Sequence, residues 1–454
     1  MPKLSRREFI GGAGAFIGLA SHCHWLLADD TSPLPTTGPI PTTGPTTPEL
    51  KPLDDLMTGF LAKHQLPGAA LAVGRAGRLL YSRGFGWADV GEQKAVQPDS
   101  LFRLASISKS ITAIAVMQAI EQGCLTLDTL ALPLLRQVTT DEPVDPRWRD
   151  ITIRHLLQHT GGWDRDQSFD PMFRAVPFAR ELNVEPPAKP EHIIRVMLRK
   201  PLDFAPGERF AYSNFGYCLL GRVLEAVDRV AYSDSVARRV LNPLCLKRIC
   251  LGRTLKEHRL ADEVTYYGAK DATGPSVFSP NVGQQVPWPY GGWHLEAMDA
   301  HGGWTGSASD LVRLVMSLEP GRCSSPLNAD SLNAMWARPM GRPLLDKDGK
   351  PQTAFYGCGW MVREVGGDHT QINVFHNGSL DGTSTLLVRR HDGFCWAVLF
   401  NSRHGFNPET NVFDVAPSGA IDSLIHHAVD AVTHWSVEKM HSPNTSPKRQ
   451  RVHS

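Results

Sequence analysis

The amino-acid sequence predicts an α+β protein: a sheet built from both ends of the folded chain, with helices packed on it and a mainly helical region inserted in the middle. Strand patterns are concentrated near the two ends of residues 50–435, and helix patterns fill most of the interval between them. The composition, 42% hydrophobic and 20% charged over 454 residues, is that of a globular protein with a large core. It excludes a disordered chain, a collagen-like repeat and a coiled-coil rod.

Five segments carry strand patterns. Residues 69–73 and 79–85 are apolar or alternating and are joined across Arg75-Ala76-Gly77, which predicts a hairpin. Near the far end, strands are predicted at 374–376, 385–390 and 395–401, the last two joined by Asp392-Gly393. No long-period repeat accompanies them, so one sheet rather than a repeat array is expected.

The most pronounced helix pattern covers residues 106–122. It is apolar on nearly every face and stops at Gly123, which predicts a central buried helix that ends at a glycine cap. Further helices are predicted at 152–158, 190–198, 216–227 and 309–318.

The two ends of the chain are expected to lie outside the fold. Residues 1–28 resemble a twin-arginine export signal, because Arg6-Arg7 precedes a weakly hydrophobic stretch too short to span a bilayer. This predicts a periplasmic or extracellular protein with no stable transmembrane span, with lipoprotein attachment at Cys23 as a minor alternative. Residues 29–49, which contain Pro-Thr-Thr-Gly-Pro twice, are predicted to be an extended linker, and residues 436–454 a disordered tail.

Charge and cysteine content exclude several functions. The 47 basic and 46 acidic side chains leave a formal charge of +1, which gives no field for holding a polyanion, so nucleic acid is not an expected partner. The eight cysteines include no C-x-x-C pair, and we interpret them as mostly small buried hydrophobes. Neither a metal nor a cofactor is predicted.

The first candidate motif is Ser106-Ile107-Ser108-Lys109 at the start of the buried helix. The i, i+3 spacing places Ser106 and Lys109 on one helical face, where a desolvated lysine of lowered pKa can accept the serine proton. A helix-capping serine followed by a surface lysine is the alternative for this short motif alone.

Two further motifs add chemistry to the first. Tyr212-Ser213-Asn214 precedes an amphipathic helix, and a phenol near a lysine can relay protons. His376-Asn377-Gly378-Ser379 ends an apolar strand, where a glycine lets substrate approach closely and a backbone N–H can point at an oxyanion. Each motif alone is also compatible with ordinary packing or capping.

The order S-x-x-K, Tyr-x-Asn and His-x-Gly resembles the serine beta-lactamase and penicillin-binding-protein superfamily. The resemblance is to its class C beta-lactamase-like branch, which includes D,D-peptidases and family VIII esterases, and it covers roughly residues 53–405. Further segments that resemble this branch in the same order are Pro67-Gly68-Ala69-Ala70, residues 101–106, 153–160, 206–214 and 356–360.

The resemblance implies a beta-lactamase/transpeptidase-like fold, an antiparallel sheet flanked by helices, with the site at the junction with the helical subdomain. Ser106 would become acylated, and Lys109 and Tyr212 would share the general-base and general-acid roles. The backbone N–H groups of Ser106 and Ser379 would form the oxyanion hole. Asn214 would orient Lys109 and bind substrate, together with His376 and Gly378. The expected partner is a small-molecule or peptide-like acyl substrate.

One departure from the branch bears on the substrate. Its beta-lactamases carry Lys-Thr-Gly where this chain has His376-Asn377-Gly378. A histidine is neutral more often near pH 7, so efficient beta-lactam hydrolysis is not expected and esters are the predicted substrates, with carboxylate recognition partly restored at pH 5. A D-Ala-D-Ala carboxypeptidase or beta-lactamase, and a non-catalytic binding module, are the alternatives. The cleft walls are expected from loops such as 160–190 and 255–305.

Two other groups of residues are candidates for a site. His155 and His159 have the i, i+4 spacing of paired zinc ligands, but the glutamate of H-E-x-x-H is absent, which favours packing or capping roles. Trp288, Trp293 and Trp304 could line an aromatic cleft or simply pack, and they are not counted among the site residues.

Overall fold

The computed structural model describes residues 38–268, 272–319, 325–339, 349, 352–366 and 371–435. The predicted export signal, residue Cys23 and the predicted tail at 436–454 therefore lie outside the described residues. Within them, no helix is both long and apolar enough to cross a membrane.

The strands are β1 Thr42–Thr43, β2 Gly68–Arg75, β3 Arg78–Asp89, β4 Lys94–Ala95, β5 Phe102–Arg103, β6 Ile249–Leu251, β7 Thr273–Pro275, β8 Gln285–Pro287, β9 Trp304–Gly306, β10 Ala354–Tyr356, β11 Met361–Val365, β12 Gln371–Leu380, β13 Thr383–Arg389, β14 Phe394–Phe400, β15 Gly405–Asn407 and β16 Val412–Val415.

The α-helices are α1 Lys51–Lys63, α2 Ser108–Glu121, α3 Ala131–Leu134, α4 Ile153–Leu157, α5 Ala175–Glu181, α6 Pro190–Leu198, α7 Asn214–Asp228, α8 Tyr232–Val236, α9 Ala308–Ser317, α10 Ala329–Trp336 and α11 Pro417–Ala431. Among the shorter helical turns, Ala105–Ile107 leads into α2 and Pro171–Phe173 lies beside the site described below.

The main sheet joins the two ends of the folded chain. Its strand order is β1-β3-β2-β14-β13-β12-β11-β10, with β4 paired to β3, and every pairing in it is antiparallel. Strand β2 pairs with β14, with Leu71 opposite Val398, and this pairing joins the N-terminal hairpin to the C-terminal strands. The predicted antiparallel sheet flanked by helices is confirmed.

Both faces of the sheet are covered. Alternate residues of β2 point to opposite sides, as the period of two requires: Leu71 joins the cluster under α1 and α11, whereas Ala70 and Ala72 join the larger cluster around α2 and the helical region. Among the described residues between β5 and β9 the chain forms mainly helices and the short strands β6, β7 and β8, so the predicted helical insertion is present.

The predicted elements agree with the structure in type, and their bounds differ by a few residues. The five predicted strands correspond to β2, β3, β12, β13 and β14, and the hairpin turn lies at Ala76-Gly77. The helix predicted at 106–122 is α2, buried on almost all sides, and Gly123 adopts φ +74° just after it. The helix predicted at 190–198 has the observed bounds of α6.

Two structural features differ from the expectation. Thr42 and Thr43, inside the predicted linker, pair with Phe85 and Gly84 of β3, because the edge of that strand offers unpaired backbone groups. Of the cysteines, Cys218, Cys358 and Cys395 are buried, but Cys124 and Cys245 are exposed, so the buried-hydrophobe interpretation is wrong for these two. They lie in the loops after α2 and before β6, and the distribution of cysteines along the sequence does not reveal that.

Candidate active site

The nucleophile candidate lies where a short helical turn meets α2. Ala105 has φ +48°, in the left-handed region that costs a residue with a side chain of order 1–3 kcal/mol, and the chain turns there before Ser106. Thr385 of β13 fixes this turn from the sheet, because its hydroxyl donates to the carbonyl of Leu104 at 2.9 Å. The sheet therefore holds the backbone just ahead of Ser106.

Lys109 lies one helical turn after Ser106 and is completely buried. Its Nζ donates to Ser106 Oγ at 3.2 Å and to the backbone carbonyl of His301 at 2.8 Å. Removal from water lowers the pKa of Lys109 well below its usual value; the carboxyl of Asp170 opposes that shift and the guanidinium of Arg165 adds to it. A lysine in this state can lose its proton and then accept one from the serine.

Tyr212 reaches the same serine from the helical region. Its hydroxyl is hydrogen-bonded to Ser106, and its ring centroid lies 4.9 Å from Lys109 Nζ. Burial raises the pKa of Tyr212 to about 12, and the hydrogen bond from Ser106 and the charge of Arg165 act against that rise. At neutral pH the phenol therefore keeps its proton, which suits a group that later donates it to a leaving oxygen.

His159 holds the loop that carries Tyr212. The backbone N–H of Ser213 donates to His159 Nδ1 at 3.2 Å, and the imidazole lies 4.3 Å from the Tyr212 ring. Desolvation, with a smaller contribution from Lys109, lowers the pKa of His159 well below its ordinary value, so the ring is neutral. His159, for which the sequence predicts a packing or capping role, therefore supports the loop of Tyr212.

Asn214 differs from the expectation in what it contacts. Its Nδ2 donates to Asp170 Oδ2 at 2.6 Å, while the Lys109 amine donates to Ser106 and to the backbone carbonyl of His301. The prediction that Asn214 orients Lys109 directly is therefore wrong for this structure. Asp170 caps the short turn Pro171–Phe173. The sequence did not indicate its contact with Asn214, because no motif links the two residues.

Strand β12 forms the opposite side of the site. A Cβ added to Gly378 would lie 2.4 Å from the carbonyl oxygen of Leu104 and 3.0 Å from the backbone N of Ser106. Only glycine allows β12 to pack this close to the nucleophile turn. Ser379, the next residue, lines the same cavity as Ser106, as the oxyanion-hole prediction requires.

His376 is withdrawn behind the site. It is 2% exposed, its Nδ1 lies 2.6 Å from the carbonyl of Asn377, and its Nε2 lies 3.0 Å from the hydroxyl of Tyr356. A carbonyl only accepts, so Nδ1 carries a proton, and in the neutral ring Nε2 accepts from the Tyr356 hydroxyl.

Desolvation, reinforced by the charge of Lys109, lowers the pKa of His376 to about 3. The expectation that His376 becomes cationic near pH 5 and restores carboxylate recognition is therefore wrong. The sequence could not show it, because the shift arises from packing around the ring. Substrate binding by His376 stays a prediction.

A cavity of about 150 Å3 opens at Ser106. Both loops expected to form the cleft contribute to its wall, 160–190 through Arg165 and Phe173 and 255–305 through residues 298–302, and Arg403 adds a segment that was not expected. The lining residues are Ser106, Arg165, Phe173, Asn214, Met298, His301, Gly302, Ser379, Leu380, Asp381 and Arg403. The structure therefore brings Ser106, Asn214 and Ser379 to one cavity, with Lys109 buried behind the serine.

The other residues weighed from the sequence have structural roles. His155 forms a capping box with Thr152, each backbone N–H being bonded to the other residue's side chain. Trp293 and Trp304 are buried, and the indole of Trp304 donates to the hydroxyl of Tyr232. Trp288 packs beside Trp293 and is not among the cavity residues. His155 is thus a capping residue, and the tryptophans contribute to packing.

Comparison with known proteins identifies the family. Residues 53–416 match the family described as Beta-lactamase. The chain belongs to the beta-lactamase family. A penicillin-binding protein of Bacillus subtilis (strain 168) is 27% identical over 345 residues, which cover 75% of this chain and 69% of that protein.

Two solved structures show the same beta-lactamase family fold. The D-amino acid amidase of Ochrobactrum anthropi SV3 superposes with a TM-score of 0.62 at 19% identity, covering 85% of this chain and 99% of that one. EstCE1, described as a hydrolase with promiscuous acyltransferase activity, superposes with a TM-score of 0.61 at 20% identity and covers the same shares. Solved structures with this fold thus include an amidase and a hydrolase with acyltransferase activity.

Proposed function

We propose that this chain is a serine hydrolase that cleaves small esters through an acyl-serine intermediate. The observation that carries the proposal is the 3.2 Å contact between Ser106 Oγ and the amine of Lys109, whose pKa burial lowers, at the floor of a cavity. A serine becomes a nucleophile when a neighbour accepts its proton, and this lysine is the neighbour placed to do so.

In the proposed reaction, Ser106 Oγ bonds to the ester carbonyl carbon as its proton passes to Lys109, with Tyr212 sharing the transfer. The backbone N–H groups of Ser106 and Ser379 stabilise the oxyanion. The C–O bond to the alcohol then breaks, and the alcohol leaves with a proton from the Lys109–Tyr212 pair. Water, deprotonated by the same pair, attacks the acyl carbon. The bond to Ser106 Oγ then breaks, Oγ takes that proton back, and the acid is released. Because Lys109 and Tyr212 are closely coupled, the proton is assigned to the pair and not to either residue alone.

The size and polarity of the cavity favour small esters over lactams. At about 150 Å3 it is smaller than the roughly 300–1,000 Å3 of pockets that take drug-sized ligands. The residue at the lysine position of beta-lactamases, His376, is neutral and contacts Tyr356 rather than the cavity. Both features disfavour a cephalosporin, which is bulky and whose carboxylate that lysine helps to bind in beta-lactamases.

A substrate panel tests the proposal. We expect kcat/KM for 4-nitrophenyl acetate or butyrate to exceed that for a chromogenic cephalosporin and for a D-Ala-D-Ala peptide. Ser106→Ala should abolish turnover and labelling by a fluorophosphonate probe while leaving the fold intact, a loss on the order of 10^4-fold or more. Faster cephalosporin or peptide cleavage would replace the esterase proposal with one of those activities. A folded protein that takes no label would indicate a binding module.

We also propose that the protein is exported through the twin-arginine route. The support is the Arg6-Arg7 pair followed by a short, weakly hydrophobic stretch, because such signals are read by a receptor. Replacing both arginines by lysine should leave precursor in the cytoplasm of a bacterial host, as measured by cell fractionation. Unchanged export of that variant would point to another route.

A further inference from the structure

Arg165 is a partly buried cation on the wall of the catalytic cavity. Its guanidinium carbon lies 4.8 Å from the centroid of the Tyr212 ring, and its side chain is 32% exposed. Stacking on a ring engages the flat face of a guanidinium, whereas its N–H donors point outward in the plane. The donor edge of Arg165 is therefore left for another partner.

No described residue accepts a hydrogen bond from the Arg165 side chain. The nearest carboxylate is Asp166, whose Oδ1 lies 3.9 Å from Arg165 Nε and whose side chain is 66% exposed, a distance too long for a hydrogen bond. Asp164, next in the chain to Arg165, is paired with another arginine, since Arg209 Nη1 donates to its Oδ2 at 2.7 Å.

The remaining charges around the cavity are already matched. Arg403 Nη1 donates to Asp381 Oδ1 at 3.0 Å, so these two lining residues neutralise each other. Asp170, behind Tyr212, accepts from the Met172 N–H and the Asn214 side chain. Arg165 thus leaves the cavity with one cation whose hydrogen-bonding capacity is unused among the described residues.

We propose that Arg165 binds a carboxylate on the alcohol part of the substrate, so that the preferred substrates are small esters of carboxylate-bearing alcohols or phenols. This rests on the proposed ester hydrolysis. A guanidinium matches a carboxylate with two parallel N–H bonds, and the half-buried setting makes such a pair stronger than one in water.

The position of Tyr212 decides which part of the substrate reaches Arg165. The Tyr212 hydroxyl is hydrogen-bonded to Ser106, and the Arg165 guanidinium lies over the Tyr212 ring. The group that protonates the leaving oxygen must touch it, so the alcohol lies beside Tyr212. A carboxylate separated from the ester oxygen by about one aromatic ring would then meet the guanidinium.

The test compares 4-acetoxybenzoate with 4-acetoxybenzamide, which have nearly the same shape and form the same acetyl-enzyme. Only acylation can differ between them, and their relative rates with hydroxide correct for the leaving groups. We expect Arg165→Gln to lower the ratio of kcat/KM values, carboxylate over amide, by about 10- to 100-fold. Arg165→Lys should recover part of that ratio, because it keeps the charge without the fork geometry.

Arg209→Gln is the matched control, since it removes a nearby cation that is already paired with Asp164, the neighbour of Arg165 in the chain. It should leave the ratio within about twofold of the unmodified enzyme, because its partner lies outside the cavity. An unchanged ratio in Arg165→Gln, or an equal fall in Arg209→Gln, overturns the proposal.

A binding measurement separates failure of the site from failure of the esterase proposal. If the enzyme cleaves neither ester, ester hydrolysis is wrong, and titration with 4-hydroxybenzoate followed by NMR still tests Arg165. Binding that is lost in Arg165→Gln and stronger than that of 4-hydroxybenzamide supports the carboxylate site. Equal binding of the two compounds, or none, overturns it.

Discussion

Gly378→Ala tests whether the close approach of strand β12 to the nucleophile turn sets catalysis. The new Cβ would lie 2.4 Å from the Leu104 carbonyl oxygen and 2.3 Å from Thr385 Oγ1. The new Cβ and the Leu104 carbonyl oxygen must separate by about 1 Å to reach an ordinary van der Waals distance. The oxygen belongs to the backbone and cannot rotate away. Strand β12 must therefore move from Ser106 by about that distance.

That displacement separates the two backbone N–H groups assigned to the oxyanion, on Ser106 and Ser379. A shift of about 1 Å in a catalytic group can cost on the order of 100-fold in rate, and overpacking costs about 1–3 kcal/mol of stability. We therefore expect kcat/KM for 4-nitrophenyl acetate to fall about 100-fold in Gly378→Ala, with a lower melting temperature. Fluorophosphonate labelling should slow in parallel, because it needs the same oxyanion contacts.

Gly59→Ala is the control, because a Cβ at that position in helix α1 meets nothing within 4 Å. It should leave activity unchanged and stabilise the protein by up to about 1 kcal/mol, the difference in helix propensity. If Gly378→Ala kept its activity within about threefold, the close packing of β12 would not set the oxyanion geometry.

Two further predictions concern histidines. Burial lowers the folded-state pKa values of His159, His301 and His376, so only the unfolded chain takes up their protons as the pH falls through about 6.5. The stability that these rings contribute is then fully present above that pH and is lost below it. From pH 6 to 5 the free energy of unfolding should drop by about 3–4 kcal/mol for the three rings. Urea titrations that show no such drop would contradict their burial as neutral groups. His155→Ala should lower the free energy of unfolding by about 1 kcal/mol, because it removes the capping box with Thr152. Turnover should be unchanged in this variant, and EDTA should not affect the parent enzyme. A metal-dependent activity would contradict the capping role.

The local chemistry of the site could be predicted from the sequence because it depends on short-range geometry. One helical turn separates Ser106 from Lys109 in any α-helical start, and the apolar pattern after them already required burial of that helix. The strands of the sheet could likewise be predicted, because short strand-like runs with turn residues between them, such as Asp392-Gly393, are a local signal. The glycine at 378 was singled out for close approach, and the structure gives the atoms that it approaches.

The tertiary structure alone decided which groups surround the catalytic pair. Lys109 is held by the carbonyl of His301, 192 residues away, and Asn214 is bonded to Asp170 in a loop with no recognisable motif. The neutral state of His376 and the unpaired donor edge of Arg165 follow from what packs around them. Both depend on desolvation and on the positions of distant charges, and these quantities exist only once the chain has folded.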